Sequence, residues 1–278
     1  MPTMDSQGGA AAVSPAMSGP SLNQAVSMPR RILILGGTGE ARRLAARLAG
    51  EKKLYPIVSL AGRTENPAQM PVPVRVGGFG GIDGLRAYLT AERIAAVIDA
   101  THPYAAQMSR HAAAACAAEG VPLLALRRQP WKPVAGDRWR EVEGVPGALA
   151  ALGETPRRVF LALGRNEVRA FEAAPWHAYL VRSVDPVEPP LAVPYADYVV
   201  ARGPFTAEGD LELLRGHRIA VIVAKNSGGP ATYGKMEAAR ALGLEVILLR
   251  RPAVPQVPAV ETVEEVAHWL ETVKAPDA

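Results

Sequence analysis

The sequence predicts an α/β protein built of two similar units, each a mostly parallel sheet with helices on both faces. Short apolar runs of strand length alternate with helical patterns along most of the chain. The 26 glycines and 25 prolines punctuate it at short intervals, as many strand-to-helix turns require. The second half also repeats landmarks of the first: Glu167 follows Glu40 by 127 residues, and Lys225 follows His102 by 123. We therefore expect two three-layer Rossmann-like domains with a cleft between them.

The first half contains five apolar runs, each followed by a glycine-containing or polar turn or by a helical pattern. Strands are predicted at 31–35, 55–60, 72–76, 94–100 and 122–126. Helices are predicted over 41–48, through Leu85 and Leu89, and over 105–118. Alternation of this kind is typical of a parallel sheet buried on both faces.

The second half resembles the first in order. Residues 158–167 resemble 31–40, 219–223 resemble 94–98, and 249–251 resemble 126–128. Duplication of one unit and the general likeness of α/β domains both explain this pattern. We predict a disordered extension over 1–28 and domains over 29–135 and 136–278. The segment 131–154 is the expected transition, and 262–274 is expected to form a last amphipathic helix.

Composition excludes several classes of function. The formal charge is +4 with no run of five basic residues, and aromatics make up 5%, so neither a nucleic-acid stripe nor a base-stacking surface is expected. The mild basic excess indicates a solvated surface or a cleft that attracts an anionic small molecule. Cys116 is the sole cysteine, and no His/Cys/Asp/Glu set has metal-ligand spacing, so we expect no bound metal. No apolar run is long enough for a membrane span and the start does not read as a signal peptide, which predicts a cytoplasmic protein.

The first glycine turn, Gly36-Gly37-Thr38-Gly39-Glu40, stands between a strand and a helix. Glycines let the backbone approach a pyrophosphate, and the helix supplies amides and the positive end of its dipole. The spacing is not the full G-x-G-x-x-G, and a tight turn without a ligand is the alternative.

The end of the second predicted strand indicates which nicotinamide cofactor is used. Sheets that prefer NAD usually carry an acid there, but this chain has Ser59 and then Arg63. A hydroxyl and a guanidinium suit a 2′-phosphate, which favours NADPH. The alternative is that Arg63 is a surface residue.

Two further strand ends of the first half carry unusual residues. Gly77-Gly78-Phe79-Gly80-Gly81 should form a loop that lines the cofactor, with Phe79 against a nicotinamide or a substrate face. The run 99–104 places Thr101, His102 and Tyr104 where ligands lie in open α/β sheets. His102 is a candidate for binding, proton transfer or helix capping.

The matching strand of the second half ends in Lys225-Asn226-Ser227-Gly228-Gly229. Polar side chains and glycine amides before a helix make an anion site. Lys235 lies in that helix, and Arg202-Gly203 supplies another loop at a strand end. Ser227 lacks the His/Asp partners that a nucleophile needs.

These motifs together resemble the precorrin-6A reductase family of cobalamin biosynthesis. The resemblance runs from about 31 to 252 and follows the family's order. It rests on Gly36-Gly37-Thr38 with Glu40, Ala61-Gly62-Arg63, 75–81, 99–104, 201–205 and 225–229. It implies NADPH-dependent reduction of one double bond of precorrin-6A, a polycarboxylated tetrapyrrole, to give precorrin-6B.

From the motifs and the expected substrate, we hypothesise a division of the site residues between the two domains. The first domain is expected to bind NADPH through Gly36, Gly37, Thr38, Gly39, Glu40, Ser59, Ala61, Gly62, Arg63, Gly78, Phe79, Gly80, Thr101 and His102. The second is expected to bind substrate carboxylates through Arg202, Gly203, Lys225, Asn226, Ser227, Gly228, Gly229 and Lys235. The proton donor stays open among His102, Tyr104, Lys225, solvent and a protonated nitrogen of the substrate.

Other functions remain as alternatives. A cobalt-containing substrate and a non-catalytic two-lobed nucleotide sensor both fit the motifs. A short-chain-type reductase is disfavoured because neither Tyr104 nor Tyr233 is followed by Lys at the fourth place. A structural interaction module poorly explains so many polar loops at strand ends. We expect a monomer or a weak homodimer.

Overall fold

The computed structural model describes residues 28–62 and 69–273. Most of the predicted extension, residues 1–27, lies outside the described residues, and so does Arg63. The strands are β1 Arg30–Leu35, β2 Leu54–Leu60, β3 Val74–Val76, β4 Ile94–Asp99, β5 Leu123–Leu126, β6 Arg138–Val142, β7 Arg158–Ala162, β8 Ala178–Ser183, β9 Ala196–Val200, β10 Val221–Lys225, β11 Glu245–Leu249 and β12 Ala259–Val260. The helices are α1 Gly39–Leu48, α2 Gly81–Ala91, α3 Ala106–Glu119, α4 Gly144–Leu152, α5 Arg165–Val168, α6 Ala207–Gly216, α7 Gly234–Leu242 and α8 Val263–Thr272.

The strands form two six-stranded sheets with the same topology. The first has the order β12-β5-β4-β1-β2-β3 and the second β6-β11-β10-β7-β8-β9. Every neighbouring pair of strands is parallel. The strand β1 occupies the place of β7, and β4 that of β10, as the sequence repeat indicates. The predicted fold class is confirmed.

The two units exchange their outermost strands. The strand β6 follows β5 along the chain but pairs with β11 in the second sheet. The strand β12 follows β11 but pairs with β5 in the first sheet, and α8 packs against α1. Two connectors, 127–137 and 250–258, therefore cross between the sheets. The predicted second domain, 136–278, includes β12 and α8, but both of these elements lie with the first sheet.

The expected transition at 131–154 was wrong, because it contains β6 and α4. The strand β6 reads Arg-Trp-Arg-Glu-Val and its residues are exposed or half-buried. It lies at the edge of its sheet and therefore has no apolar run to mark it.

Burial explains the strands and helices that the sequence did predict. All six residues of β4 are buried, which is typical of a central parallel strand covered on both faces. Helix α1 buries Ala41, Leu44, Ala45 and Leu48, a stripe with the spacing of one helical face. Among the described residues, no helix is long and apolar enough to cross a membrane. The expected location and oligomeric state stay predictions.

Candidate active site between the two sheets

The carboxyl ends of the two sheets meet at a contact between the turns after β4 and β10. The Tyr104 hydroxyl donates to the main-chain oxygen of Leu249, at the end of β11. The same hydroxyl accepts from the main-chain N–H of Asn226 at 2.8 Å. The Lys225 Nζ lies 5.1 Å from the centroid of the Tyr104 ring. The polar turns at 99–104 and 225–229 therefore share one region, as predicted.

Arg128 joins the first glycine turn to the loop of the second unit. Its Nη1 lies 2.6 Å from Glu40 Oε2, and its Nε donates to the main-chain oxygen of Ser227 at 2.6 Å. Burial alone would raise the pKa of Glu40, but Arg128, the main-chain N–H of Glu40 and Arg43 together lower it. Sequence reasoning did not assign Arg128 to the site, although the likeness of 126–128 to 249–251 had marked the position.

The turn at 36–39 has the shape that a phosphate-binding turn needs. Gly37 has φ +109°, and the space that a Cβ would occupy there is open. A Cβ on Gly36 would lie 2.9 Å from Cγ1 of Val58, so that position has no room for a side chain. The Thr38 hydroxyl accepts from Ala41 N at 3.1 Å, which caps α1, and donates to the main-chain oxygen of Ala100 at 2.7 Å. The turn therefore presents the N-terminus of a ten-residue helix beside open backbone.

The equivalent turn of the second unit differs in a way that matters for a nucleotide. Helix α5 is only four residues long. The Glu167 carboxylate accepts from the main-chain N–H of Gly164 at 2.8 Å and pairs with Lys225 Nζ at 2.5 Å. A carboxylate of the chain itself thus occupies this turn, and the features suited to a pyrophosphate belong to the first unit.

Arg75 organises the strand end where Ser59 lies. Its guanidinium donates to Ser59 Oγ at 2.8 Å and to the main-chain oxygens of Gly77 and Gly78 at 3.0 and 3.1 Å. It also lies over the Phe79 ring, 3.9 Å from the centroid. The Phe79 ring therefore packs against Arg75 within its own unit. Sequence reasoning included Arg75 in the motif 75–81 but gave it no binding role, because it lies inside a strand, before the glycines.

The small residues that follow β2 and β3 leave the carboxyl ends of these strands accessible. Ala61, Gly62, Gly78 and Gly80 are exposed. A Cβ on Gly78 or Gly80 would have no atom within 4 Å, and Gly80 has φ +83°. The backbone at this edge is open to a ligand, as the cofactor assignment of these residues requires.

His102 is a neutral imidazole surrounded by cations. Its Nδ1 accepts from the main-chain N–H of Tyr104 at 3.3 Å, which puts the ring proton on Nε2. Burial, followed by the charges of Arg128, Lys225, Arg251 and Lys235, lowers the pKa of His102 to about 3. Any anion that enters and neutralises these cations raises that pKa again.

Tyr104 and Thr101 are both held within the fold. Burial raises the pKa of Tyr104 to about 12, so the phenol keeps the proton that it donates to Leu249. The Thr101 hydroxyl donates to Asp99 Oδ1 at 2.6 Å, and Asp99 also accepts from Ser109. Within 28–62 and 69–273, no group of three or more His, Cys, Asp or Glu is arranged to hold a metal.

The loop at 226–229 packs closely on the first connector. The Asn226 side-chain amide accepts from Trp131 N at 2.8 Å and donates to Trp131 O at 3.0 Å. A Cβ on Gly228 would lie 2.2 Å from the main-chain oxygen of Gln129, and Gly228 has φ +70°. A Cβ on Gly229 would lie 3.0 Å from Cδ of Arg128. The structure therefore gives these two glycines a packing role, while their contact with substrate stays a prediction.

Lys235 and Arg202 occupy different surroundings. Lys235 is buried, its Nζ donates to the main-chain oxygen of Thr232, and burial followed by Arg182 lowers its pKa to about 7. Arg202 is exposed, next to Gly203. The contact of Arg202 with substrate therefore stays a prediction, and Lys235 lies close enough to His102 to help lower its pKa.

Comparisons with known proteins agree with this architecture. The model of the family "Precorrin-6x reductase CbiJ/CobK" matches residues 31–271. The chain is 52% identical to the precorrin-6A reductase of Sinorhizobium sp over 91% of its own length and 99% of that protein. It is 55% identical to the precorrin-6A reductase of Rhodobacter capsulatus over 86% of this chain and 95% of that protein. Identity to the cobalt-precorrin-6A reductase of Priestia megaterium is 28%, over 86% of this chain and 97% of that protein.

A solved structure bears the same relation to the chain. The structure titled "CobK precorrin-6A reductase" has a TM-score of 0.83 and 53% identity, and the match covers 88% of this chain and 98% of that one. The family model spans nearly all of the described residues, and both units and the cleft lie inside it. The chain therefore belongs to the precorrin-6x reductase family.

Proposed function

We propose that this chain reduces one double bond of precorrin-6A, with NADPH as the hydride donor, to give precorrin-6B in cobalamin biosynthesis. The observation that carries the proposal is the double contact of Arg128, which holds Glu40 of the nucleotide turn and Ser227 of the facing loop. A nucleotide bound at the carboxyl ends of the first sheet would therefore lie next to a substrate bound at the carboxyl ends of the second.

The metal-free substrate is favoured over the cobalt-containing one. Five relatives named precorrin-6A reductase are 42–55% identical to the chain. Three named cobalt-precorrin-6A reductase are 25–30% identical. The higher identity supports a metal-free macrocycle as the substrate.

The first unit supplies the cofactor site. NADPH carries the hydride, and the protein contributes orientation and electrostatics. The amides of Gly37 to Gly39 and the N-terminus of α1 hold the pyrophosphate, because the backbone there is open and the helix dipole favours an anion. Ala61, Gly62, Gly78 and Gly80 line the strand ends beside it.

The cationic groups around His102 supply the substrate site. Arg128, Lys225 and Arg251 lie near enough to depress the pKa of His102 and lie on both sides of the contact between the units. A polycarboxylated ring brings matching negative charge, and we propose the exposed Arg202 as a further contact for its carboxylates. Orientation of the ring against the cofactor follows from fixing its carboxylates at several points.

We propose that His102, from among the candidate proton donors, gives the proton to the macrocycle. The Tyr104 proton is directed to Leu249, and Lys225 is paired with Glu167. Substrate carboxylates that neutralise Arg128 and Lys225 raise the pKa of His102, so the imidazolium forms only when substrate is present.

An assay of the purified protein with NADPH and precorrin-6A tests the proposal. We expect the absorbance of the reduced nicotinamide at about 340 nm to decrease, and the product to be heavier than the substrate by two hydrogens. Cobalt-precorrin-6A serves as the matched substrate. Turnover with the cobalt form alone would establish that alternative, and tight NADPH binding without oxidation by either substrate would establish a sensor.

A further inference from the structure

The second and third strands of the first sheet end side by side, next to the glycine turn. Ser59 of β2 and Arg75 of β3 are register partners in the parallel pairing. In dinucleotide-binding sheets, the end of the second strand receives the adenosine ribose, and the residue type there separates NAD from NADP. Ser59 and Arg75 are therefore the described residues that meet the ribose if NADPH binds as proposed.

The Arg75 guanidinium is held in place by contacts within its own unit. Three of its five N–H groups donate to Ser59, Gly77 and Gly78. One face lies on Phe79, and the charge is also 5.2 Å from the centroid of the Tyr88 ring. Fixing a guanidinium in this way removes most of the entropy that an arginine loses when it binds a phosphate.

The charge of Arg75 has no acidic partner in the described part of the chain. Its contacts there are to a hydroxyl, two carbonyl oxygens and two aromatic rings, and none is an ion pair. Two N–H groups, on Nε and Nη2, lie outside these hydrogen bonds. The position therefore combines a preoriented cation, a hydroxyl and open glycine backbone, which together match a phosphate monoester.

We propose that Arg75, with Ser59, binds the 2′-phosphate of NADPH and is the residue that selects NADPH over NADH. The proposal rests on the function proposed above. It differs from the sequence-based assignment of this role to Arg63. A purely structural Arg75 would only brace the glycine loop, and its loss would then weaken both cofactors equally.

The test measures binding of NADP⁺ and NAD⁺ by calorimetry, so it does not depend on substrate turnover. Arg75→Ala should weaken NADP⁺ binding about 10- to 100-fold, the range for a lost charge-assisted contact, and change NAD⁺ binding less than about threefold. Arg75→Lys should restore only part of the loss, because lysine keeps the charge without the planar fork. Ser59→Ala should lower NADP⁺ affinity by a smaller factor.

Matched controls separate the possible results. Arg86→Ala removes an exposed arginine of α2 that pairs with Glu119, and should leave both affinities unchanged. Arg63→Ala tests the earlier assignment and should leave the cofactor ratio largely intact. Equal losses for both nucleotides in Arg75→Ala, or an unchanged ratio in Arg75→Lys and Ser59→Ala, would overturn the proposal. If the unmutated protein binds neither nucleotide, the proposed function fails as well.

Discussion

Replacing Arg128 with Met should loosen the junction between the two units. The substitution keeps much of the aliphatic stem and removes the guanidinium. Two contacts are lost: the ion pair with Glu40 and the hydrogen bond to the Ser227 oxygen, both 2.6 Å long. The paired side chains of Arg128 and Glu40 are only 18% and 14% exposed, so water replaces these contacts poorly.

The size of the effect follows from these contacts. A hydrogen bond to a charged group contributes about 1.5–3 kcal/mol, and removing one partner of a buried pair costs about 3–5 kcal/mol. Glu40 keeps a second partner in Arg43, at 2.9 Å, which reduces the loss. We expect Arg128→Met to lower the free energy of unfolding by about 2–4 kcal/mol. The midpoint of thermal unfolding should fall by roughly 5–12 °C.

A double-mutant cycle with Glu40→Gln isolates the ion pair. Urea unfolding of the unmutated protein, both single variants and the double variant should give a coupling energy of about 1–2 kcal/mol. Arg43→Met, which removes a partner that is 64% exposed, should cost less than about 1 kcal/mol. Losses that add to within about 0.5 kcal/mol would refute the claim that Arg128 joins the units through Glu40.

Three further predictions concern the cleft. The pKa of His102 is about 3 in the fold, against an ordinary value of 6.5. As the pH falls below 6.5, the unfolded chain therefore takes up this proton before the folded chain does. The free energy of unfolding is highest above pH 6.5 and decreases as the pH falls toward 3. Urea unfolding at several pH values should show that His102→Gln removes about 2–4 kcal/mol of this loss, and parallel curves for the two proteins would contradict it. Gly228→Ala should lower the free energy of unfolding by at least about 2 kcal/mol, because φ at this position is positive and the added Cβ would clash with the connector at Gln129. Gly50→Ala, whose added Cβ would have no atom within 4 Å, should cost little. Equal melting temperatures for the two variants would refute this prediction. Lys225→Ala should raise the KM for precorrin-6A about 10- to 100-fold and leave the KM for NADPH unchanged. The control Lys52→Ala, at an exposed position, should change neither KM. An unaltered KM for precorrin-6A in Lys225→Ala would show that Lys225 does not bind the substrate.

Local pattern predicted those elements of the fold whose burial is continuous along the chain. The strands β1, β4 and β10 are apolar runs because both of their faces are covered. The exchange of β6 and β12 was beyond such reasoning, since strand pairing joins segments more than 100 residues apart and leaves no local mark. The strand β12 is also only two residues long.

The candidate site was predictable where function depends on position at a strand end. The turns holding His102 and Lys225 meet, as the offset between the two halves indicated. The close packing of Gly228 was not predictable, because a glycine needed for an anion and one needed for a close approach look the same in sequence. The roles of Arg128 and Arg75 were not predictable for a related reason. The function of a single arginine in a connector or a strand depends on the residues that fold against it.

A crystal structure with NADP⁺ and precorrin-6B bound would test the account most directly. We expect the pyrophosphate on the amides of 37–39 and the macrocycle across the junction, with carboxylates near Arg128 and Lys225 and the nicotinamide facing the ring. A pyrophosphate on the Gly164 turn, or a macrocycle outside the space between the two sheets, would contradict it.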